Sequence, residues 1–210
     1  GMVQGLTAHY LTKGSYFVKK GDTVLIQAVA GGLGLWLCQV SKHLGATVIG
    51  TASNPTKASK AKEAGADHVI LYTSQDIVKE TMNLTEGKGV NVVYDSVGKE
   101  TWAQSLKCLR KRGSLVLCGN ASGKVPPIDP LLLTQQGSIT LIRPTLFDYI
   151  ETRSEFMERM NDVMHWLQKG LVQVHVTTMA LKDAVSAHEK LEARQTIGKL
   201  VLVPTHSHNY

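Results

Sequence analysis

The segment Ala28-Val29-Ala30-Gly31-Gly32-Leu33-Gly34 constrains this chain more than any other feature. It follows an apolar, β-branched run (DTVLIQA, 22–28) and opens a stretch in which Leu33, Trp36, Leu37, Val40 and Leu44 fall at i, i+3, i+4, i+7 and i+11. The first run reads as a buried strand, the second as one face of a helix over 31–44. Gly31 and Gly32 admit backbone angles that a side chain forbids and let an anionic group approach the main chain. The helix start behind them presents N–H groups and the positive end of the helix dipole. Gly34 lets the helix pack closely on the strand. The spacing departs from strict G-x-G-x-x-G, with Ala28 and Ala30 where glycine is common. A turn that only connects strand to helix is the bland alternative; the βαβ context points instead to the pyrophosphate of a dinucleotide.

The rest of the chain repeats that unit. Strands are expected at 22–28, 47–51, 68–71, 89–95, 113–119 and 138–142, and helices at 3–11, 31–44, 55–64, 76–82 and 100–109. Pro55 sits at a tolerated first-turn position and Gly65 ends the third helix. Six strands alternating with helices predict an α/β fold with a doubly wound parallel Rossmann sheet. Beyond it, a helix over 154–170 carries Phe156, Met160, Val163 and Leu167 on one face, widened by Met157 and Met164. A short strand at 173–176, a helix over 181–194 with Leu181, Val185, His188 and Leu191 in register, and a strand at 198–203 with no obvious partner complete the pattern. The expected organisation is a dinucleotide-binding domain over 1–171, a helix–strand remnant of a second domain over 172–204, and a polar, disordered tail over 205–210.

Composition removes several classes. With 210 residues there is room for one or two domains, and 43% hydrophobic against 19% charged residues is no disordered chain. The apolar runs are too short to span a bilayer, and the opening residues, with no basic, apolar and small-residue leader pattern, give no expectation of secretion. Cys38, Cys108 and Cys118 are widely spaced, which excludes a disulfide framework or zinc knuckle and favours the reducing cytoplasm. The eight histidines have no metal-ligand spacing; His165 and His188, on helix faces, read as structural. The net charge of +6 suits an anionic ligand or a nucleic acid. Lys107, Arg110, Lys111 and Arg112 cluster near one turn without interleaved aromatics, which reads as a solvated basic face rather than a nucleic-acid site.

The segment after the second strand selects the cofactor. An NAD site usually places Asp or Glu there for the ribose 2′-hydroxyl. Here Gly50-Thr-Ala-Ser53-Asn-Pro-Thr-Lys57 has no carboxylate, so Ser53 and Lys57 favour the 2′-phosphate of NADP(H). A short-chain reductase is disfavoured because Tyr16 and Lys20, which have the Tyr-x-x-x-Lys spacing, precede the glycine turn. A methyltransferase usually wants the missing acid. Asp95, closing a strand, reads as a cap or turn former rather than a base. The alternative from another class is a non-catalytic NADPH- or nucleic-acid-binding protein.

With these residues in place, the chain resembles the quinone oxidoreductase (zeta-crystallin-like) branch of the medium-chain dehydrogenase/reductase superfamily. The resemblance rests on Gln4-Gly-Leu-Thr-Ala-His9, Ala30-Gly-Gly-Leu-Gly34, Val93-Tyr-Asp-Ser-Val-Gly98 and Arg112-Gly-Ser-Leu-Val-Leu-Cys-Gly-Asn120. Arg143-Pro-Thr-Leu146, Leu181-Lys-Asp-Ala-Val-Ser-Ala-His188, and the runs from Leu191 to Arg194 and from Gly198 to Val201 add to it. It implies zinc-free, NADPH-dependent reduction of quinones, with the nicotinamide carrying the chemistry and no catalytic side chain assigned. It further implies Thr7 near the nicotinamide; Gly31, Gly32 and Leu33 at the pyrophosphate; Ser53 and Lys57 at the 2′-phosphate; and Tyr72 and Ser96 at the adenosine. Gly119 and Asn120 are implied at the nicotinamide ribose, the main chain of Leu141, Ile142 and Arg143 at the carboxamide, and Arg194 reaching in from the C-terminal segment. Family chains begin with a GroES-like substrate domain, so this chain is expected to lack it, to bind NADPH and to reduce quinones weakly. A homodimer through the sixth-strand edge is also implied.

Overall fold

Residues 1–204 are described by the computed structural model; the expected tail at 205–210 lies outside the described residues. Six parallel strands form the central sheet: β1 (Thr23–Ile26), β2 (Thr47–Ala52), β3 (His68–Leu71), β4 (Val90–Asp95), β5 (Leu109–Leu117) and β6 (Thr140–Ile142). Their order is β3-β2-β1-β4-β5-β6, with every pairing parallel. The strand order reverses between β1 and β4, so the crevice above their C-terminal ends is where such sheets bind ligands.

The sheet is covered on both sides because its strands are apolar on both sides. Val24, Ile26, Val48, Val92, Tyr94 and Val116 face one core with α1 (Met2–Tyr10), α2 (Gly32–His43), α3 (Pro55–Glu63) and α7 (Arg153–Gln168). Leu25, Ile49, Ile70, Val93, Leu115 and Leu117 face the other, which Ile77 of α4 (Ile77–Leu84), Leu106 of α5 (Trp102–Lys107) and Leu132 of α6 (Pro130–Gln135) help to close. The alternation within β1, β4 and β5 is the period-two geometry of a strand.

Several expectations need correcting. The helix expected over 3–11 ends at Tyr10 and runs on as a π-helical segment, Leu11–Ser15, in which the Tyr16 amide reaches the Leu11 carbonyl. The strand expected at 113–119 begins at Leu109. Arg112, with φ of +60°, and a register shift opposite Val90–Val92 break its regular pairing, so its charged start hid it. Helix α6 was not anticipated, although Asp129 caps it by accepting from the Leu131 amide and Pro130 occupies its first turn. Met157 and Met164 do not widen the buried face of α7; both are exposed, and Trp166 is buried instead.

The C-terminal segment differs most. The strand expected at 173–176 lies at β7 (Val176–Ala180), and the strand expected to lack a partner, β8 (Lys199–Val203), pairs with it in parallel. The helix expected over 181–194 is a 3-10 turn (Leu181–Asp183) followed by α8 (Ala184–Glu192). Its apolar register is not a core face: Leu181, Val185 and Leu191 are exposed and only Ala187 is buried. His165 and His188 are exposed as well. Gly198 returns this segment to the sheet, its N–H donating to the Ala30 carbonyl at 3.0 Å beside the glycine-rich turn.

Candidate functional site

The turn after β1 is shaped by two close approaches. Ala28 takes a left-handed backbone (φ +53°), and its N–H donates to Thr51 Oγ1 at the end of β2 (3.1 Å). A Cβ on Gly34 would lie 2.5 Å from the carbonyl oxygens of both Ala28 and Val29, so only glycine lets α2 start this close to β1. A Cβ on Gly31 would meet nothing nearer than the Ala28 oxygen at 3.2 Å. Gly32 is covered differently: Gln4 of α1 and the Gly198 carbonyl occupy the space where its side chain would stand.

A cavity of about 690 Å³ opens above the C-terminal ends of β1, β2 and β4. Of the expected site residues it brings together Gly31, Ser53, Lys57, Tyr72, Ser96 and Arg194. A second cavity of about 490 Å³ shares Ser53, Lys57, Tyr72 and Arg194 with it. Thr7, Gly32, Leu33, Gly119, Asn120, Leu141, Ile142 and Arg143 do not line the first cavity. Gly119 and Asn120 follow β5, and Leu141 and Ile142 end β6, so they continue the same C-terminal edge of the sheet. A Cβ on Gly119 would lie 2.4 Å from the Ser96 carbonyl, so glycine permits the close approach of these two loops, which the Ala121 amide joins by donating to the Ser96 carbonyl at 3.2 Å. Arg143 turns back, donating from Nη1 to the Pro144 carbonyl (3.2 Å). Thr7 is half-buried on α1.

Cations collect at one end. The Asn54 side chain caps α3 by accepting from the Lys57 amide (2.9 Å), which starts the helix so that Lys57 lies in its first turn. The Lys57 ammonium donates to the Arg194 carbonyl. Burial, with the Arg194 charge nearby, holds its pKa below the usual lysine value. Arg194 has φ of +57° and reaches Glu100 Oε2 with both Nη atoms at 3.4 Å. This end offers two cations and the Ser53 hydroxyl.

Beneath the cavity runs a buried polar chain that sequence reasoning missed. Thr51 Oγ1 donates to Gln27 Oε1 (2.7 Å), Gln27 Nε2 to Ser105 Oγ (3.0 Å), and Ser105 Oγ to Asp95 Oδ2 (2.7 Å). Asp95, fully buried, also accepts from the amides of Val97 and Gly98 at 2.9 Å and from Thr101 Oγ1 at 2.8 Å. It is a turn former, and it also joins the loop after β4 to the turn after β1. The available signal was a polar residue closing each apolar strand: Gln27, Thr51 and Asp95.

Other reactive groups stay out of the cavity. Burial pushes the Cys38 thiol up to about 12 and the Cys108 thiol up to about 11. His9 Nε2 and Lys13 Nζ share Asp162 Oδ2 at 2.9 and 2.6 Å, behind α1. Among the described residues no three His, Cys, Asp or Glu side chains converge to hold a metal ion, and no helix is long and apolar enough to cross a membrane.

Comparison with known proteins agrees with this geometry. Residues 32–169 match the family described as zinc-binding dehydrogenase. The chain is 46% identical over 205 residues to the quinone oxidoreductase of Salmonella typhimurium, a match covering 96% of this chain and 63% of that protein. Among solved structures, Escherichia coli quinone oxidoreductase complexed with NADPH is 44% identical with a TM-score of 0.92, covering 96% of this chain and 63% of the other. The mycobacterial Rv1454c complexed with NADPH is 46% identical with a TM-score of 0.93, covering 97% and 64%. The chain thus spans a little under two thirds of the relatives it matches.

Proposed function

The chain belongs to the zinc-binding dehydrogenase family, and from that premise we propose that it is the dinucleotide-binding part of an NADPH-dependent quinone oxidoreductase. One observation carries the choice of cofactor: at the end of the cavity beyond β2, Ser53, Lys57 and Arg194 converge and no carboxylate follows the strand. Quinone as substrate is supported by the likeness to the Salmonella and Escherichia coli enzymes.

In this reading the bound nicotinamide supplies the reducing equivalents. Gly31 lets the pyrophosphate approach the main chain, with Gly32 and Leu33 opening the helix behind it. Ser53, Lys57 and Arg194 bind the 2′-phosphate through charge-assisted hydrogen bonds. Tyr72 and Ser96 flank the adenosine. Gly119, Asn120, the main chain of Leu141, Ile142 and Arg143, and Thr7 serve the nicotinamide end. The protein's work is positioning and exclusion of water, so no catalytic acid is assigned. The reading uses no metal, as the resemblance to the zinc-free quinone oxidoreductase branch implies.

Residues 1–171 then form the cofactor domain, and 172–204 belong to the substrate domain. The open edge of β6 pairs with a second copy, and the three unpaired thiols suit the cytoplasm. The test is retention of the 210-residue chain on 2′,5′-ADP resin and its elution by NADPH but not NADH, followed by quinone-dependent NADPH oxidation. Failure to bind the resin would remove the cofactor assignment. Binding with no quinone turnover above that of free NADPH would remove the activity assigned to this chain.

A further inference from the structure

Arg194 is the cation in the cavity that already has an acidic partner. Its guanidinium crosses to Glu100 Oε2 at 3.4 Å, while its carbonyl takes the Lys57 ammonium. Both side chains line the same cavity, and they come from positions 94 residues apart. Neither end of the contact is loose in the backbone. The Glu100 amide donates to Ser122 Oγ at 3.0 Å, and the strap from Arg194 onward is tied by the Gly198 amide to the Ala30 carbonyl.

We propose that Glu100 is a specificity-determining residue: its carboxylate competes with the 2′-phosphate for Arg194, and a dinucleotide carrying that phosphate must displace it. This rests on the NADPH reading above and sharpens it. A ligand without the 2′-phosphate has no group to exchange for the carboxylate and leaves the pair in place. The contact is half exposed on both sides, 51% for Arg194 and 59% for Glu100. Pairs of that kind couple weakly, so releasing Arg194 is worth about a 1.5- to 5-fold gain in affinity.

The experiment uses two short probes, 2′,5′-ADP and adenosine 5′-monophosphate, titrated calorimetrically against wild type, Glu100→Gln, Arg194→Met and the double variant. Glu100→Gln is expected to tighten 2′,5′-ADP by about 1.5- to 5-fold more than the monophosphate. That difference is expected to vanish in the Arg194→Met background and to shrink in about 0.5 M salt. No gain, an equal gain for both probes, or a gain that survives loss of Arg194 overturns the proposal. A wild type with no preference for 2′,5′-ADP overturns the NADPH reading instead. In that case a preference created by Glu100→Gln sustains the role of Glu100, and its absence removes that role too.

Discussion

Replacing Asp95 tests whether the buried chain under the cavity joins the turn after β1 to the loop after β4. The carboxylate is fully buried and accepts from two amides and two hydroxyls between 2.7 and 2.9 Å. In Asp95→Ala the Val97 and Gly98 amides lose their acceptor inside the protein, which costs about 1–3 kcal/mol each. Removing a buried charge returns part of its desolvation penalty, so the net expectation is about 3 kcal/mol. Asp95→Asn keeps Oδ1 for both amides and asks only the hydroxyls of Thr101 and Ser105 to turn and accept, at about 1–2 kcal/mol. In equilibrium urea unfolding the alanine variant should lower the midpoint by about 1 M or more, and the asparagine variant by about a third to two thirds of that. Binding of 2′,5′-ADP should weaken in the same order. Equal losses for the two variants, or an alanine variant within about 0.5 kcal/mol of wild type, would refute the hub.

Two further substitutions follow from the packing. Gly34→Ala puts a methyl 2.5 Å from two carbonyl oxygens, a clash with backbone that should cost about 3 kcal/mol and weaken 2′,5′-ADP binding by displacing the glycine-rich turn; a variant as stable as wild type would contradict the close approach. His9 adds a pH dependence. Burial outweighs its bond to Asp162 and holds its pKa below the ordinary 6.5. The unfolded chain therefore takes up this proton first, and stability should fall as pH drops through 6.5 toward the folded pKa. The urea midpoint should decline as pH falls through 6.5, and His9→Gln should flatten that decline.

The sheet was legible because six apolar strands alternating with helical periods predict a doubly wound parallel sheet; the strand order came from the structure. The glycine-rich turn was legible because strand, glycines and helix are contiguous. Elements whose signal is charge rather than apolar spacing were not: the start of β5 carries Arg110, Lys111 and Arg112, and α6 announces itself only by Asp129 and Pro130. The periodicity of 181–194 misled for another reason. An apolar stripe shows which face could be buried, and in this chain nothing among the described residues covers Val185 or Leu191. In the site, Ser53 and Lys57 followed from their position after β2, and Arg194 from the resemblance alone. Gln27 left a signal as the polar residue closing an apolar strand, but its partner Ser105, 78 residues away, and the pairing of Glu100 with Arg194, 94 residues away, did not.

The most direct test of the whole reading is a calorimetric titration of one sample of the 210-residue chain with NADPH and with NADH, repeated on Lys57→Met. With Ser53, Lys57 and Arg194 around a 2′-phosphate, wild type should bind NADPH at least about tenfold more tightly, the worth of a single charge-assisted hydrogen bond. Lys57→Met should erase most of that difference while leaving NADH affinity nearly unchanged. Equal affinities in wild type, or a preference that survives the loss of Lys57 intact, would contradict it.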